Sequence, residues 1–516
     1  MPNLQLFQSH RGPRVPKANT ANEAGGAAYR RSPEAALALY AATGCLSSTF
    51  HADAQQQLDR VLALCAAVEP EFVARTALYA RRHAHMKDMP ALLVAYLASR
   101  DGALAEKIFH RVIDNGRMLR NFVQMLRSGE LGRKSLGTRP KRLVREWLDR
   151  ATTEQLMSAA IGERPSLADI VRMVHPRPLD ASREALYAWL LDKPYKAEAL
   201  PAMVQAYEAF KADPRGAAPD LPFPYLTALP LEARHWKQIA ARSSWQATRM
   251  NLNTFLRKGV FEDAAIVKQV AARLRQREAI KRARVFPYQL MVAYRAAAGN
   301  MPEAISEALQ DAMEVATEAV PRLSGEVVLA IDVSGSMQSP VTGYRRGATS
   351  VATCVEVAAL IAACFRRRHG KTRIVPFAEA VRAIKLNPRD SVMSQARDIA
   401  RMVGGGTCVS APLALLNHER TAPDLVVIVS DNQSWLDTRQ RGGTETMRQW
   451  AALKARNPRA RLVCIDLQPY GTSQAKEAPD VFHIGGFSDA VFELVAGIAQ
   501  GKHAGHWEER IQAMEL

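Results

Sequence analysis

Long apolar runs are missing from this chain. No stretch of about 18 or more apolar residues occurs, so no helix spanning a membrane is expected. Cysteine is scarce and scattered. The six residues Cys45, Cys65, Cys354, Cys364, Cys408 and Cys464 include no C-x-x-C spacing, which argues against a disulfide framework and a Cys-based zinc site. A reducing cytoplasm is the simplest compartment. Met1 to Lys17 offers Gln, Ser, His and Pro where a signal peptide needs an apolar run. Aromatic residues are only 7%, and no K/R-G-F/Y-G/A-F-V run occurs, so a sheet that stacks bases is not expected. H-E-x-x-H, G-x-x-x-x-G-K-[ST] and G-x-S-x-G are absent, which leaves no positive case for catalysis.

What is present is an ordinary globular composition, with 48% apolar and 23% charged residues, which excludes a mainly disordered chain. At about 100–200 residues per domain, 516 residues suggest two to four domains. The formal charge is +18 and unevenly placed: residues 324–516 hold 23 Lys+Arg against 19 Asp+Glu, and the first 323 residues hold 46 against 32. A basic surface attracts polyanions, of which nucleic acid is the commonest in cytoplasm, although a generally basic protein with no such partner has the same charge.

Residues 1–30, with Pro2, Pro13, Pro16 and Gly25-Gly26, read as an irregular arm. Ser32-Pro33 supplies a cap and a first-turn proline for a helix. From 31 to 320, Ala-, Leu- and Arg-rich segments carry apolar residues at spacings of three and four, broken at Pro70, Pro90, Pro165, Pro176, Pro194 and Pro201. Many helices in succession suggest a stacked-pair solenoid; without a strict period, a large irregular helical domain fits as well. Near Pro321 the pattern changes. Glu326 to Ile331, Arg373 to Phe377, Leu425 to Val429 and Leu462 to Leu467 are short apolar strands separated by helices, one of them spanning about Ala348 to His369. This alternation predicts a doubly wound parallel sheet over 324–500, followed by a tail at 501–516, with any site at the carboxyl ends of the strands.

Three features fall at those ends. The first strand runs into Asp332-Val333-Ser334-Gly335-Ser336, the third runs into Asp431, and Gly404-Gly405-Gly406-Thr407 lies between. Asp332, Ser334, Ser336, Thr407 and Asp431 are hard oxygen donors with little charge, which suits Mg²⁺ or Mn²⁺ with an open position for a partner's acid. The alternative is a loop whose residues only hydrogen-bond one another. An aspartyl phosphotransfer nucleophile would have a second acid two residues on, where this chain has Ser334.

In the helical region the densest basic stretch runs from Arg127 to Arg150. Its centre holds Arg133, Lys134, Arg139, Lys141, Arg142 and Arg145 in a loop entering a helix, where amides and guanidinium groups can hold phosphates. Arg172, His175 and Arg177 flank a second such turn, with His175 able to stack on a base or to serve structure alone. Arg273, Arg275, Arg277, Lys281, Arg282 and Arg284 read mainly as a solvated helix face.

The five donor positions resemble the metal-ion-dependent adhesion site of von Willebrand factor A (vWA) domains. Together with NEAGGAAY (Asn22 to Tyr29), SPEAALALYAATGCL (Ser32 to Leu46), MKDMPALL (Met86 to Leu93), GRKSLGTRPKR, RPSLADIVRMVHPRP (Arg164 to Pro178), TRMNLNTFLRKGVF (Thr248 to Phe261), FPYQLMVAYRAA (Phe286 to Ala297) and DVSGSM (Asp332 to Met337), the chain resembles the TROVE-domain Ro ribonucleoprotein family, in its bacterial branch, nearly end to end. The resemblance implies an all-α, HEAT-like helical-repeat ring followed by an α/β vWA domain. It implies Asp332, Ser334 and Ser336 on a divalent cation, with Thr407 and Asp431 direct or through water. It implies that His175 lies on an RNA-binding surface. It further implies that the protein binds small Y-type RNA outside the ring and single-stranded 3′ ends of misfolded RNA within it, and that it works in RNA quality control or decay with polynucleotide phosphorylase or another RNase. A cytoplasmic monomer without enzymatic activity is expected. The rival from another class is a metal-dependent protein-interaction scaffold acting through the vWA domain; a nuclease lacks the acids that a two-metal site needs.

Overall fold

The computed structural model describes residues 15–161, 165–283, 285, 287–296, 299–344, 352–434, 443–501 and 506–516. Arg164, Arg284, Phe286, Ala297, the first 14 residues of the expected arm and the expected start of the 348–369 helix lie outside them.

The stretch read as an irregular arm is corrected where it is described. Thr20–Ala21 (β1) and Ala27–Arg30 (β2) pair antiparallel, and β2 pairs in turn with Thr472–Ser473 (β7) of the C-terminal domain. The hairpin forms because the Asn22 side chain accepts from the amides of Ala24 and Gly26, closing a tight Asn-to-Gly turn.

Helix Pro33–Thr43 starts as the sequence predicts: Ser32 accepts from the Ala35 amide at 3.0 Å and Pro33 occupies the first turn. It is apolar on every side and buried from Ala35 to Thr43. A helix with no polar face has to be covered all round. It is covered on one side by helix Pro70–Arg82 and on the other by the last sheet strand. Helices then follow one another to Thr317, each packed on its neighbours, as in Pro70–Arg82 against Asp88–Arg100 and Asp88–Arg100 against Gly116–Arg127. Pro90, expected as a break, sits instead in the first turn of Asp88–Arg100, where its missing N–H has no bond to lose.

The C-terminal sheet is fully parallel, in the order Arg373–Phe377 (β4), Val327–Asp332 (β3), Leu425–Ser430 (β5), Arg461–Asp466 (β6), Val481–Gly485 (β8). Four of these strands were expected within a residue or two; β8 was not, because FHIG has no β-branched run to announce it. Helix Cys354–Arg368 covers one face, with every residue from Cys354 to Phe365 buried except Glu356. The segment expected as a tail also has structure: helix Trp507–Gln512 packs on Pro70–Arg82, with Trp507 edge-on to Tyr79 at 5.8 Å and Ile511 buried.

Both ends of the helical series therefore rest on the α/β domain. The first helices meet β8 and Trp507–Gln512; the last, Pro287–Ala296 and Glu303–Thr317, meet Cys354–Arg368 and Val392–Ala400. Tyr288 touches Phe487 at 5.0 Å, and a cavity of about 230 Å³ there is lined by Met86 from the loop before Asp88–Arg100, Arg117 from Gly116–Arg127, Gln289 from Pro287–Ala296 and Ser488 from the α/β domain. This is the helical-repeat ring plus vWA architecture that the sequence implied.

Candidate metal centre and basic face

β3 ends on Asp332 because the strand is a buried apolar run with nowhere to place a carboxylate except its carboxyl end. The chain turns at once, and the Ser334 amide donates back to Asp332 Oδ1 at 2.8 Å. The other carboxylate oxygen accepts from Ser430 Oγ at 2.5 Å, tying the first strand to the third. Ser334 and Ser336 bring their hydroxyls to 3.3 Å of each other. The glycine loop docks on this turn through Gly335 N to Gly405 O (2.9 Å) and Gly404 N to Val333 O (2.8 Å). Gly405 takes φ +85°, a left-handed conformation that glycine adopts freely, and the Glu379 carboxylate lies against its α-carbon. Thr407 is thereby buried beside the turn, and its carbonyl accepts from Ser434 Oγ at 3.2 Å.

Asp431 is fully buried after β5. Its Oδ1 accepts from the Gln433 amide at 3.3 Å, and its Oδ2 has no hydrogen-bond partner among the described residues. Burial pushes the Asp332 carboxyl up to about 7, and the neighbouring Asp431 adds to the push against the Ser430 and Ser334 hydrogen bonds. Asp431 is raised as well, chiefly by burial. Among the described residues this pair is met by hydroxyls and amides rather than by a guanidinium. Two buried carboxylates with the Ser334 and Ser336 hydroxyls, and Thr407 on the docked glycine loop, are a donor set that fits a small hard cation. Among the described residues no cluster of three or more His, Cys, Asp or Glu forms a metal cage, so a cation would rest on two carboxylates and three hydroxyls.

The reading of strand ends missed one acid placed by the same rule. Asp466 ends β6, fully buried, with Arg31 at 2.7 Å, Asn432 Nδ2 at 2.8 Å and His483 Nδ1 at 3.6 Å. Burial alone would raise its carboxyl, but Arg31 and then His483 outweigh it and hold the group below the usual range. Asn432 joins the two acids' surroundings: its amide donates to Ser430 Oγ at 2.8 Å. The N-terminal hairpin seals this side, with Asn22 Nδ2 donating to the Ser434 carbonyl at 2.5 Å and Gly26 so close to that carbonyl that a side chain would collide. The strand-end rule would have found Asp466; nothing local in the sequence announces Arg31 or Asn22.

The basic residues divide into three groups. Arg133 braces its own loop, donating to the Ala98 and Leu136 carbonyls at 3.0 and 3.1 Å. Arg139 and Arg142 share Glu106 at 3.7 and 2.5 Å, and Arg172 pairs with Asp169 at 3.3 Å. Lys134, Lys141, Arg177 and the His175 side chain have no ion pair or hydrogen bond among the described residues. Arg145 links the two turns: from helix Thr138–Arg150 its Nε donates at 2.5 Å to the carbonyl of Val174, which ends helix Leu167–Val174. Next in chain, His175 has φ 49° and an exposed ring. The second cluster is largely engaged: Arg273 holds the Ala240 carbonyl, Arg275 pairs with Asp311 at 2.6 Å, and Arg277 pairs with Glu318.

Residues 326–499 match the model of the Ro60 vWA domain. The chain is 27% identical to the RNA-binding protein RO60 of Deinococcus radiodurans, over 95% of this chain and 97% of that one. The crystal structure of the Deinococcus radiodurans RO (RSR) protein superposes with a TM-score of 0.62 at 22% identity, over 92% of this chain and all of that one.

Proposed function

We propose, from the premise that residues 326–499 form a Ro60-type vWA domain in a chain similar to a Ro protein along nearly its whole length, that the protein binds RNA without acting on it chemically. The ligands are small structured Y-type RNAs and the single-stranded 3′ ends of misfolded RNA, and the setting is cytoplasmic RNA quality control or decay with an exoribonuclease such as polynucleotide phosphorylase. The protein works as a monomer.

The observation that carries the reading is the turn around His175. A non-glycine residue at φ 49° is strained, and such strain persists where the surroundings over-determine it. Here the Arg145 contact to Val174 does so and leaves His175, Lys141 and Arg177 free to meet phosphate and base. Arg133, Arg139, Arg142 and Arg172 support this face by bracing and charge, and Lys134 extends it. Phosphate contacts position the RNA, and the ring of His175 offers one stacking or hydrogen-bonding contact to a base. A filter-binding titration of the full chain across salt tests this. A steep salt dependence and a preference for RNA with a single-stranded 3′ end are expected; a flat salt response, or equal binding of a blunt duplex, overturns it.

A divalent cation, Mg²⁺ or Mn²⁺, would sit on Asp332, Ser334 and Ser336, with Thr407 and Asp431 direct or through water. The unpartnered Asp431 oxygen favours that donor set and gives the second reading, a metal-dependent protein scaffold. That reading expects partner capture that EDTA abolishes and nuclease leaves intact; the RNA reading expects the reverse.

A further inference from the structure

Away from both sites, a pocket of about 220 Å³ opens where the N-terminal hairpin meets the α/β domain. Its lining includes Lys17, Arg30 and Arg31 from the N-terminal segment, and Lys476, Glu477 and His483 from around β7 and β8. These come from opposite ends of the chain and converge only because β2 pairs with β7. The floor is rigid. Arg31 and His483 are both held by the buried Asp466, with Arg31 only 6% and His483 only 8% exposed at the side chain. Among the described residues Arg31 Nε has no hydrogen-bond partner, while the His483 ring turns Nδ1 to Asp466 at 3.6 Å and Nε2 to the Ala475 carbonyl at 3.0 Å. The mouth is different: Lys17, Arg30 and Lys476 are exposed, and no ion pair engages them among the described residues. Glu477 is turned to His506, at 2.8 Å.

Four cations, Lys17, Arg30, Arg31 and Lys476, thus meet two acids, one committed to the floor and the other to His506. Exposed lysines and arginines usually find a carboxylate or spread into solvent. Three left unpaired around one concave opening set up a positive potential that the pocket walls focus inward. The Ser32 end of helix Pro33–Thr43 lies in the same lining and adds the positive pole of its dipole.

We propose that this pocket is a binding site for a small, multiply charged oxyanion of the phosphate class, either free phosphate or a terminal phosphate monoester. Arg30 and Lys476 grip it from opposite sides of the hairpin junction, Lys17 closes the mouth, and Arg31 and His483 form the floor. The site does not depend on the RNA reading, because its residues lie on neither the His175 face nor the metal loops.

Isothermal titration of the full chain with inorganic phosphate tests it. Saturable one-to-one binding is expected. It should weaken about tenfold or more in Arg30→Ala/Lys476→Ala, which removes two charge-assisted contacts. Lys385→Ala, an exposed vWA lysine far along the chain from the pocket, should change nothing. Far-ultraviolet circular dichroism and melting without phosphate should match the parent, since neither mouth residue holds the fold; if the double variant unfolds, Lys476→Gln alone carries the test. Competition by adenosine 5′-monophosphate supports the site and names a monoester as its ligand; phosphate binding without that competition supports it and names the free ion. No saturable binding, or an unchanged affinity in the double variant, overturns the proposal. A loss in Lys385→Ala equal to that in the double variant also overturns it, since binding would then track overall charge.

Discussion

Arg142 and Asp332 carry charge under opposite conditions. The guanidinium lies half in water on the helical ring, shared between Glu106 at 2.5 Å and Glu146 at 3.6 Å. The carboxylate lies with no exposure under the vWA loops and is held by a hydroxyl and an amide. Exposed pairs are worth at most about 1 kcal/mol, so the ring can redistribute its cations toward a polyanion at little cost. Burying a charge has a large desolvation cost that only a full set of partners offsets: Asp466 has that set, whereas burial raises the Asp332 and Asp431 carboxyls. The ring is suited to a ligand recognised by total charge, and the vWA domain to one recognised by geometry.

The sharpest way to break this contrast is Arg31→Ala. It leaves Asp466 buried without its main partner, and the loss should be about 3–5 kcal/mol, read by urea unfolding. A loss below about 1 kcal/mol would mean that Asp466 behaves like a surface acid. Next, Lys141→Ala/His175→Ala/Arg177→Ala should weaken RNA binding about tenfold or more and flatten the salt slope by about one for each phosphate no longer neutralised, with melting unchanged. Arg133→Ala should instead lower the melting temperature, because two carbonyls lose their donor. Asp332→Ala should remove any rise in melting temperature on adding Mg²⁺, worth about 2.7 kcal/mol at a hundredfold excess over Kd, and leave RNA affinity intact. A pH-dependent effect concerns Asp489, which burial and then Glu493 push up to about 7. The folded state thus keeps a proton that the unfolded chain gives up near the ordinary carboxylate pKa. The contribution is fully present below that value and is lost as pH rises through about 7. Asp489→Asn should flatten the decline in melting temperature between these limits.

Much of the α/β domain was legible because buried parallel strands are written as continuous apolar runs, and Asp332 and Asp431 stand directly after two of them. β8 was not legible, since Phe482 and His483 break that pattern while the strand still pairs with β6. The N-terminal hairpin was illegible for another reason: β2 is a strand because Tyr29 and Arg30 pair with Ser473 and Thr472, more than 400 residues away in sequence, as with Arg31 and Asp466 (435 residues). Composition shows Arg133 as a cation but not the Ala98 and Leu136 carbonyls it serves. The Arg145 contact with Val174, which makes the His175 turn, is likewise a tertiary fact with no local signal.

Helix Pro33–Thr43 has a consequence for how the protein is made. It is made long before β8 and is apolar on all sides, yet one of the surfaces that covers it includes Gly485 and Gly486, both pressed against this helix. At about 5–20 residues per second, the gap between Thr43 and Gly485 takes roughly 20 to 90 s to synthesise. Throughout that time the first helix is a sticky segment awaiting the last strand. Domain-by-domain folding thus leaves one face of this helix uncovered until β8 has been made.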